Sequence, residues 1–150
     1  MASLSHTMRR DHGRCDLLFS KAEAAAEQAR WDECLSCTRA FVNAVLEHFV
    51  VEEDVLFPAF EARTGMTEGP TRVMRGEHVQ MRELMNALGE AAAGSDGEAF
   101  ADAAETLLIL MQQHNMKEEN ILYPMCEQTI GDDAAVSARV EKLATGGVNG

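Results

Sequence analysis

The sequence predicts an all-α fold: an antiparallel up-down four-helix bundle with a short extra C-terminal helix. Three observations lead there. Glycine and proline punctuate the 150 residues at few places, and "RTGMTEGP" (63–70), "AGSDG" (93–97) and "TIGDD" (129–133) read as turns. Between them lie long segments rich in Ala, Glu, Leu, Met and Arg, good helix formers with few β-branched runs. The second half also repeats the first. A shift of 66 carries His48 onto His114, Glu52 onto Glu118, Glu53 onto Glu119, Leu56 onto Leu122, Pro58 onto Pro124 and Glu61 onto Glu127.

The first predicted helix, about 5–30, aligns Met8, His12, Cys15 and Phe19 on one face. The second, about 32–62, aligns Phe41, Val45, His48, Glu52, Val55 and Leu56. The third, about 70–93, opens on Pro70, where a missing N–H costs nothing, and aligns Met74, His78, Met81 and Met85. The fourth, about 98–128, aligns Leu107, Met111, His114, Glu118, Ile121 and Leu122. Pro58 and Pro124 are expected to kink or end the second and fourth helices. A short fifth helix, about 133–143, is expected to pack outside. Because "MRRDH" (8–12) maps onto "MRGEH" (74–78), the two hairpins are copies related by a pseudo-two-fold axis. Short turns between helices of this length make an antiparallel bundle over about 5–128, and residues 1–150 read as one domain.

Composition excludes several partners. At 46% hydrophobic the chain has the apolar content for its own core. Its 13 basic against 25 acidic residues give a net charge of −12, so nucleic acid and anionic membranes are poor partners. The longest strongly apolar run, 107–111, is too short to span a bilayer. No apolar stretch opens the N-terminus, which points to the cytoplasm, where four cysteines stay thiols. The repeat maps Cys34 and Cys37 onto Phe100 and Ala103, and Cys126 onto Phe60, so these cysteines read as packing, as does inward Cys15. His6 falls in the solvent-exposed N-terminus, and the methionines read as adaptable core filler. Tyr123, five residues past Glu118 and hence about 140° round a regular helix, is expected to point away from any site.

Four histidines and two glutamates nevertheless fall on the buried faces. An unpaired buried carboxylate is costly, and the inward stripes hold no Arg or Lys to compensate it. A cation that is not a side chain is the simplest partner, and imidazole with carboxylate suits first-row transition metals. His48 with Glu52, and His114 with Glu118, are spaced i, i+4 and share a helix face. With His12 and His78 they supply six donors, too many for one tetrahedral zinc. They divide into a dinuclear site, two histidines per metal and both glutamates bridging, with the ions about 3.5–4 Å apart. A single such histidine is more often a hydrogen-bonded core residue; six matched across a repeat favour metal. Asp11, Glu53, Glu77 and Glu119 could each accept the second N–H of a ligand histidine, although a solvated face is the commoner fate of such charges.

The paired HxxxE-E-x-x-L-[FY]-P segments, 48–58 and 114–124, each with a preceding histidine, resemble the hemerythrin-like (HHE cation-binding) domains over about 5–128. The resemblance implies a four-helix bundle with a non-haem di-iron centre, its two iron ions joined by an oxo or hydroxo bridge. Carried over by position, His12 and His48 bind one iron, His78 and His114 the other, and Glu52 and Glu118 bridge them. The oxygen-carrying hemerythrins have a further histidine where this chain has Met74, a change expected to open space. Their fourth-helix carboxylate is an aspartate five residues after its histidine, whereas Glu118 follows His114 by four. The set is closer to relatives linked to nitric oxide stress, iron–sulfur repair and iron sensing. The expected function is a di-iron protein that binds or senses O2 or NO, more a metal- and gas-binding protein than an enzyme. The alternatives are a di-iron oxidoreductase acting on NO or peroxide, or an iron-holding donor in iron–sulfur repair. Association into a homo-oligomer is left open.

Overall fold

The computed structural model describes residues 3–149, with side chains through Leu143. Five helices account for nearly all of them, and there is no strand among the described residues. They are α1 (Leu4–Glu27), α2 (Trp31–Thr64), α3 (Pro70–Ala93), α4 (97–130) and α5 (Ala134–Asn149). Side chains cap the exposed N–H groups where helices start: Ser3 accepts from His6, Asp96 from Ala99, and Asp133 from Ala135 and Val136. Helix α1 ends three residues earlier than predicted because Ala29 is left-handed (φ 57) and the Arg30 amide folds back onto the Ala25 carbonyl. Gly65, at φ 75, ends α2 with its amide on the Glu61 carbonyl.

Two turns depart from α-helical geometry, and both sit at the polar layer. Glu52–Leu56 and Glu118–Leu122 are π-helical, the amides of Phe57 and Tyr123 reaching back five residues to the Glu52 and Glu118 carbonyls. The prolines come immediately after. In a regular helix Pro58 would collide with the carbonyl four residues earlier and would itself lack a donor. The widened turn removes that collision, so of the two outcomes expected of the prolines, a kink or an end, the helices do not end there: α2 continues to Thr64 and α4 to Ile130. The Glu53 carbonyl, five residues before Pro58, takes a hydrogen bond from Arg75 Nη1 at 3.4 Å instead.

The extra residue in each turn also rotates the helix beyond it. Ile121, assigned to the inward stripe, is 55% exposed, and Val55 is only partly buried. Phe57 and Tyr123 take the inward places and are fully buried.

Helix α1 packs along α2 and α3 along α4, while α2 meets α3 and α1 meets α4. Apolar residues gather into two clusters. One contains Phe19, Phe41, Phe49, Met81, Met85, Leu107 and Met111, and the other Met8, Leu56, Phe57, Phe60, Met74, Leu122 and Tyr123. Burying each large side chain contributes roughly 1.5–3 kcal/mol, a gain that can carry a costly polar layer between the clusters. Helix α5 is longer than predicted, at 16 residues, and is more than an outer attachment. It lies against α1 and α2, and its Val136, Val140 and Leu143 belong to the second cluster. By length and composition α2 is apolar enough to cross a membrane, with mean hydropathy 1.2 in its best window. Its Phe41, Val45 and Phe49 are buried in the first cluster.

Candidate metal centre

On each of α1 to α4 the face that buries Met or Phe is interrupted by a histidine, and on α2 and α4 also by a glutamate one turn later. The apolar clusters above and below hold all six polar residues inside: Glu52, His78 and Glu118 are wholly inaccessible, and His12, His48 and His114 nearly so. The structure brings the six together. His12, His48, Glu52 and Glu118 form one group of potential ligand atoms, and Glu52, His78, His114 and Glu118 another, each within 4.8 Å. Both glutamates belong to both groups. Nε2 of His12 lies 3.0 Å from Glu118, that of His48 3.4 Å from Glu52, that of His78 3.1 Å from Glu52, and that of His114 3.3 Å from Glu118.

The other ring nitrogen of every histidine meets a carboxylate from a neighbouring helix. Nδ1 of His12 donates to Glu119 (2.7 Å), His48 to Asp11 (2.8 Å), His78 to Glu53 (2.6 Å) and His114 to Glu77 (2.9 Å). The four acids thus brace the imidazoles, and the solvated face that is the commoner fate of such charges is not theirs. Each acid is in turn held by a base: Asp11 by Arg14, Glu53 by both Nη atoms of Arg82, Glu77 by Lys117 and Glu119 by Arg9. The signal for this role was present in the repeat, since Asp11 and Glu77 precede a histidine in both halves and Glu53 and Glu119 double the glutamate. A proton fixed on Nδ1 leaves the Nε2 lone pair for the interior. Changing Glu77 to Gln is therefore expected to weaken metal binding by about 10- to 100-fold, read by chelator competition, with the helical circular dichroism unchanged.

Without metal the layer is electrostatically tense. Burial disfavours charge on His48, yet Glu52 and Asp11 overcome it and hold its pKa up at about 10. His114 is likewise pushed to about 9 against burial, chiefly by Glu118. Burial would raise Glu52, but the His48 imidazolium beside it holds the carboxyl well below its usual range. Burial drives the Cys15 thiol up out of reach and Cys126 to about 12, so neither is a ready thiolate.

Do these residues fit a metal? Within the layer four buried atoms make no well-aligned hydrogen bond, although His78 Nε2 stands 3.1 Å from Glu52 and His114 Nε2 3.3 Å from Glu118: they are Glu52 Oε1, Glu118 Oε2, His78 Nε2 and His114 Nε2. They are nitrogen and oxygen donors packed together at distances a cation would relieve, so they fit.

Tyr123 does not point away. Its hydroxyl donates to Glu52 Oε2 at 2.6 Å and stands 2.9 Å from Glu118 Oε1, 3.0 Å from His48 Nε2 and 3.1 Å from His12 Nε2. The expectation assumed 100° per residue, and the π turn between Glu118 and Tyr123 invalidates it; the proline just beyond was the available clue. Burial, with Glu118 and Glu52 adding to it, pushes the phenol well above its ordinary range. Met74 opens no space either: it is packed at 2% exposure in the second cluster. The free volume lies at the other side of the layer. It is a cavity of about 20 Å³ whose lining includes Val45, Phe49, Met81 and Met111 with His12, His48 and His114.

A helical bundle with a buried layer of four imidazoles and two carboxylates is the architecture of a metal-binding protein. The Hemerythrin HHE cation binding domain family matches residues 3–126, and the chain belongs to that family. Comparison with curated proteins and with solved structures gave no significant match.

Proposed function

We propose that the protein holds two iron ions in this layer and presents them to a small diatomic ligand, O2 or NO, as a binding or sensing protein. In this reading His12 and His48 ligate one ion and His78 and His114 the other. Glu52 and Glu118 bridge them, inside one domain whose four long helices run up and down in antiparallel order. The supporting observation is the set of Nε2 and carboxylate atoms among Glu52, His78, His114 and Glu118 that make no well-aligned hydrogen bond. Leaving four such atoms buried in that way is costly, and cations offset that cost. Imidazole with carboxylate favours transition ions over Ca²⁺ or Mg²⁺.

When bound, such ions supply redox-active centres with room for an added ligand. The chain's own part is selection. The cavity of about 20 Å³ holds one water or a diatomic molecule and little more. Val45, Phe49, Met81 and Met111 form its apolar wall, with Asp16 and Asn115 the polar residues that line it outside the layer, so small size is the main filter. Ring stacking of Phe49 on His78, with centroids 3.7 Å apart, fixes that imidazole beside its bracing Glu53.

The test is to titrate the anaerobic protein with Fe²⁺, count the metal, and record optical spectra under O2 and under NO. Saturation at two irons per chain, one for each donor group, with a spectral response to either gas, is expected. Iron that binds but answers neither gas would leave an iron-holding protein in place of a gas binder.

A further inference from the structure

The rings that follow the two π turns differ by one oxygen atom. The shift of 66 that relates the hairpins pairs Tyr123 with Phe57. Both rings come directly after a π turn, are fully buried, and lie against a histidine: Tyr123 with its centroid 5.6 Å from His12, and Phe57 5.9 Å from His78. Only one carries a hydroxyl. At the Phe57 half, Nε2 of His78 and of His114 makes no well-aligned hydrogen bond; at the Tyr123 half, Nε2 of His12 and of His48 reaches the phenol.

The four distances from Tyr123 Oη, 2.6, 2.9, 3.0 and 3.1 Å, run to one donor atom of each member of the His12 group. An octahedral ion with donors at about 2.1 Å places neighbouring donors about 3.0 Å apart, and each vertex has four such neighbours. The phenolic oxygen therefore already occupies the place of a vertex next to four others. Nothing at Phe57 can do the same.

We propose that Tyr123 is a metal ligand: its Oη binds the ion held by His12 and His48, while the ion held by His78 and His114 keeps an open position for the diatomic ligand. This rests on the reading of the layer as a two-metal site. On binding, the phenolic O–H bond breaks as the O–metal bond forms, and the proton leaves to water. A cation among the same carboxylates reverses the bias that keeps the phenol protonated in the empty layer. The asymmetry also has a direction. Tyr123 enters from the second apolar cluster, whereas the cavity lies on the side of the first and touches His12, His48 and His114, so phenol and incoming gas approach from opposite sides, and the cavity reaches the phenol-free ion at His114.

The chain has a single tyrosine, which makes the test direct. Tagless wild-type protein and Tyr123→Phe are loaded with iron, oxidised to the ferric state, assayed for metal, and examined by visible absorption and by resonance Raman. Phenylalanine is what the other half carries at this place, so the variant keeps a packed core. The wild type is expected to show a phenolate-to-ferric charge-transfer band with tyrosine ring modes enhanced under it, and the variant to lose both. A wild type holding two irons with no tyrosine modes overturns the assignment and leaves the two-metal reading standing. Persistence of the band in Tyr123→Phe does the same. A wild type that takes up no iron removes both.

Discussion

Glu118→Ala is expected to abolish binding at both metal positions, whereas His114→Ala should cost one. Glu118 belongs to both donor groups, but His114 belongs to one. Removing the shared carboxylate also removes one of two negative charges that draw cations into a buried layer, leaving imidazoles that gain nothing from a neighbour's lone pair. Glu52→Ala should behave alike, because it occupies the same place in the other hairpin. Metal analysis after gel filtration is the measurement, with circular dichroism to establish that each variant is folded. Glu118→Gln, which keeps the volume, separates lost charge from a lost side chain. Two ions retained in His114→Ala would strike that residue from the ligand set, and one ion retained in Glu118→Ala would end the bridging assignment.

The second large effect is on stability. Metal-free protein should weaken as the pH is raised from 7 towards 10, and loaded protein should not. His48 and His114 have folded-state pKa values pushed from 6.5 to about 10 and about 9. Groups raised in this way contribute stability that is fully present below the unfolded pKa of about 6.5 and is lost as the pH passes through the folded values. His12 is shifted in the same direction, against burial, by Glu118 and Glu119. Glu52 works oppositely: its depressed pKa gives stability that is present above the usual carboxylate range and lost on acidification. The empty protein therefore has its optimum on the acid side of neutrality, above the usual carboxylate range and below about 6.5. A bound cation replaces the imidazolium protons and removes the alkaline loss, so loading should release protons into a weakly buffered solution. Thermal melts of both forms across this range are the check; a flat or rising melting temperature in the metal-free protein would refute the charged-imidazole layer.

Much of this was legible in the sequence. Helices α1 to α4, their turns and the buried polar set can be read from spacings of three and four, because those spacings directly encode which residues share a face. Tyr123 could not. Its placement depends on five residues wound as a π turn, and no count at 100° per residue survives that turn. Ile121, which the same count put inside, is outside for the same reason. The roles of Asp11, Glu53, Glu77 and Glu119 were visible as candidates only, since a charge beside a histidine faces either solvent or a neighbouring helix, and only packing decides. The core role of α5 was hidden for a related reason: three apolar residues, Val136, Val140 and Leu143, have meaning only against the surface they cover.

The braces between imidazoles and acids close a circle. Helix α1 steadies α2's histidine, α2 that of α3, α3 that of α4, and α4 that of α1. No helix can therefore peel away without letting go of a neighbour's imidazole as well as moving its own. Escape of a captured ion is then governed by how often the entire bundle breathes, not by fraying at one end. A ring of braces closed in that manner opens as a whole or stays shut.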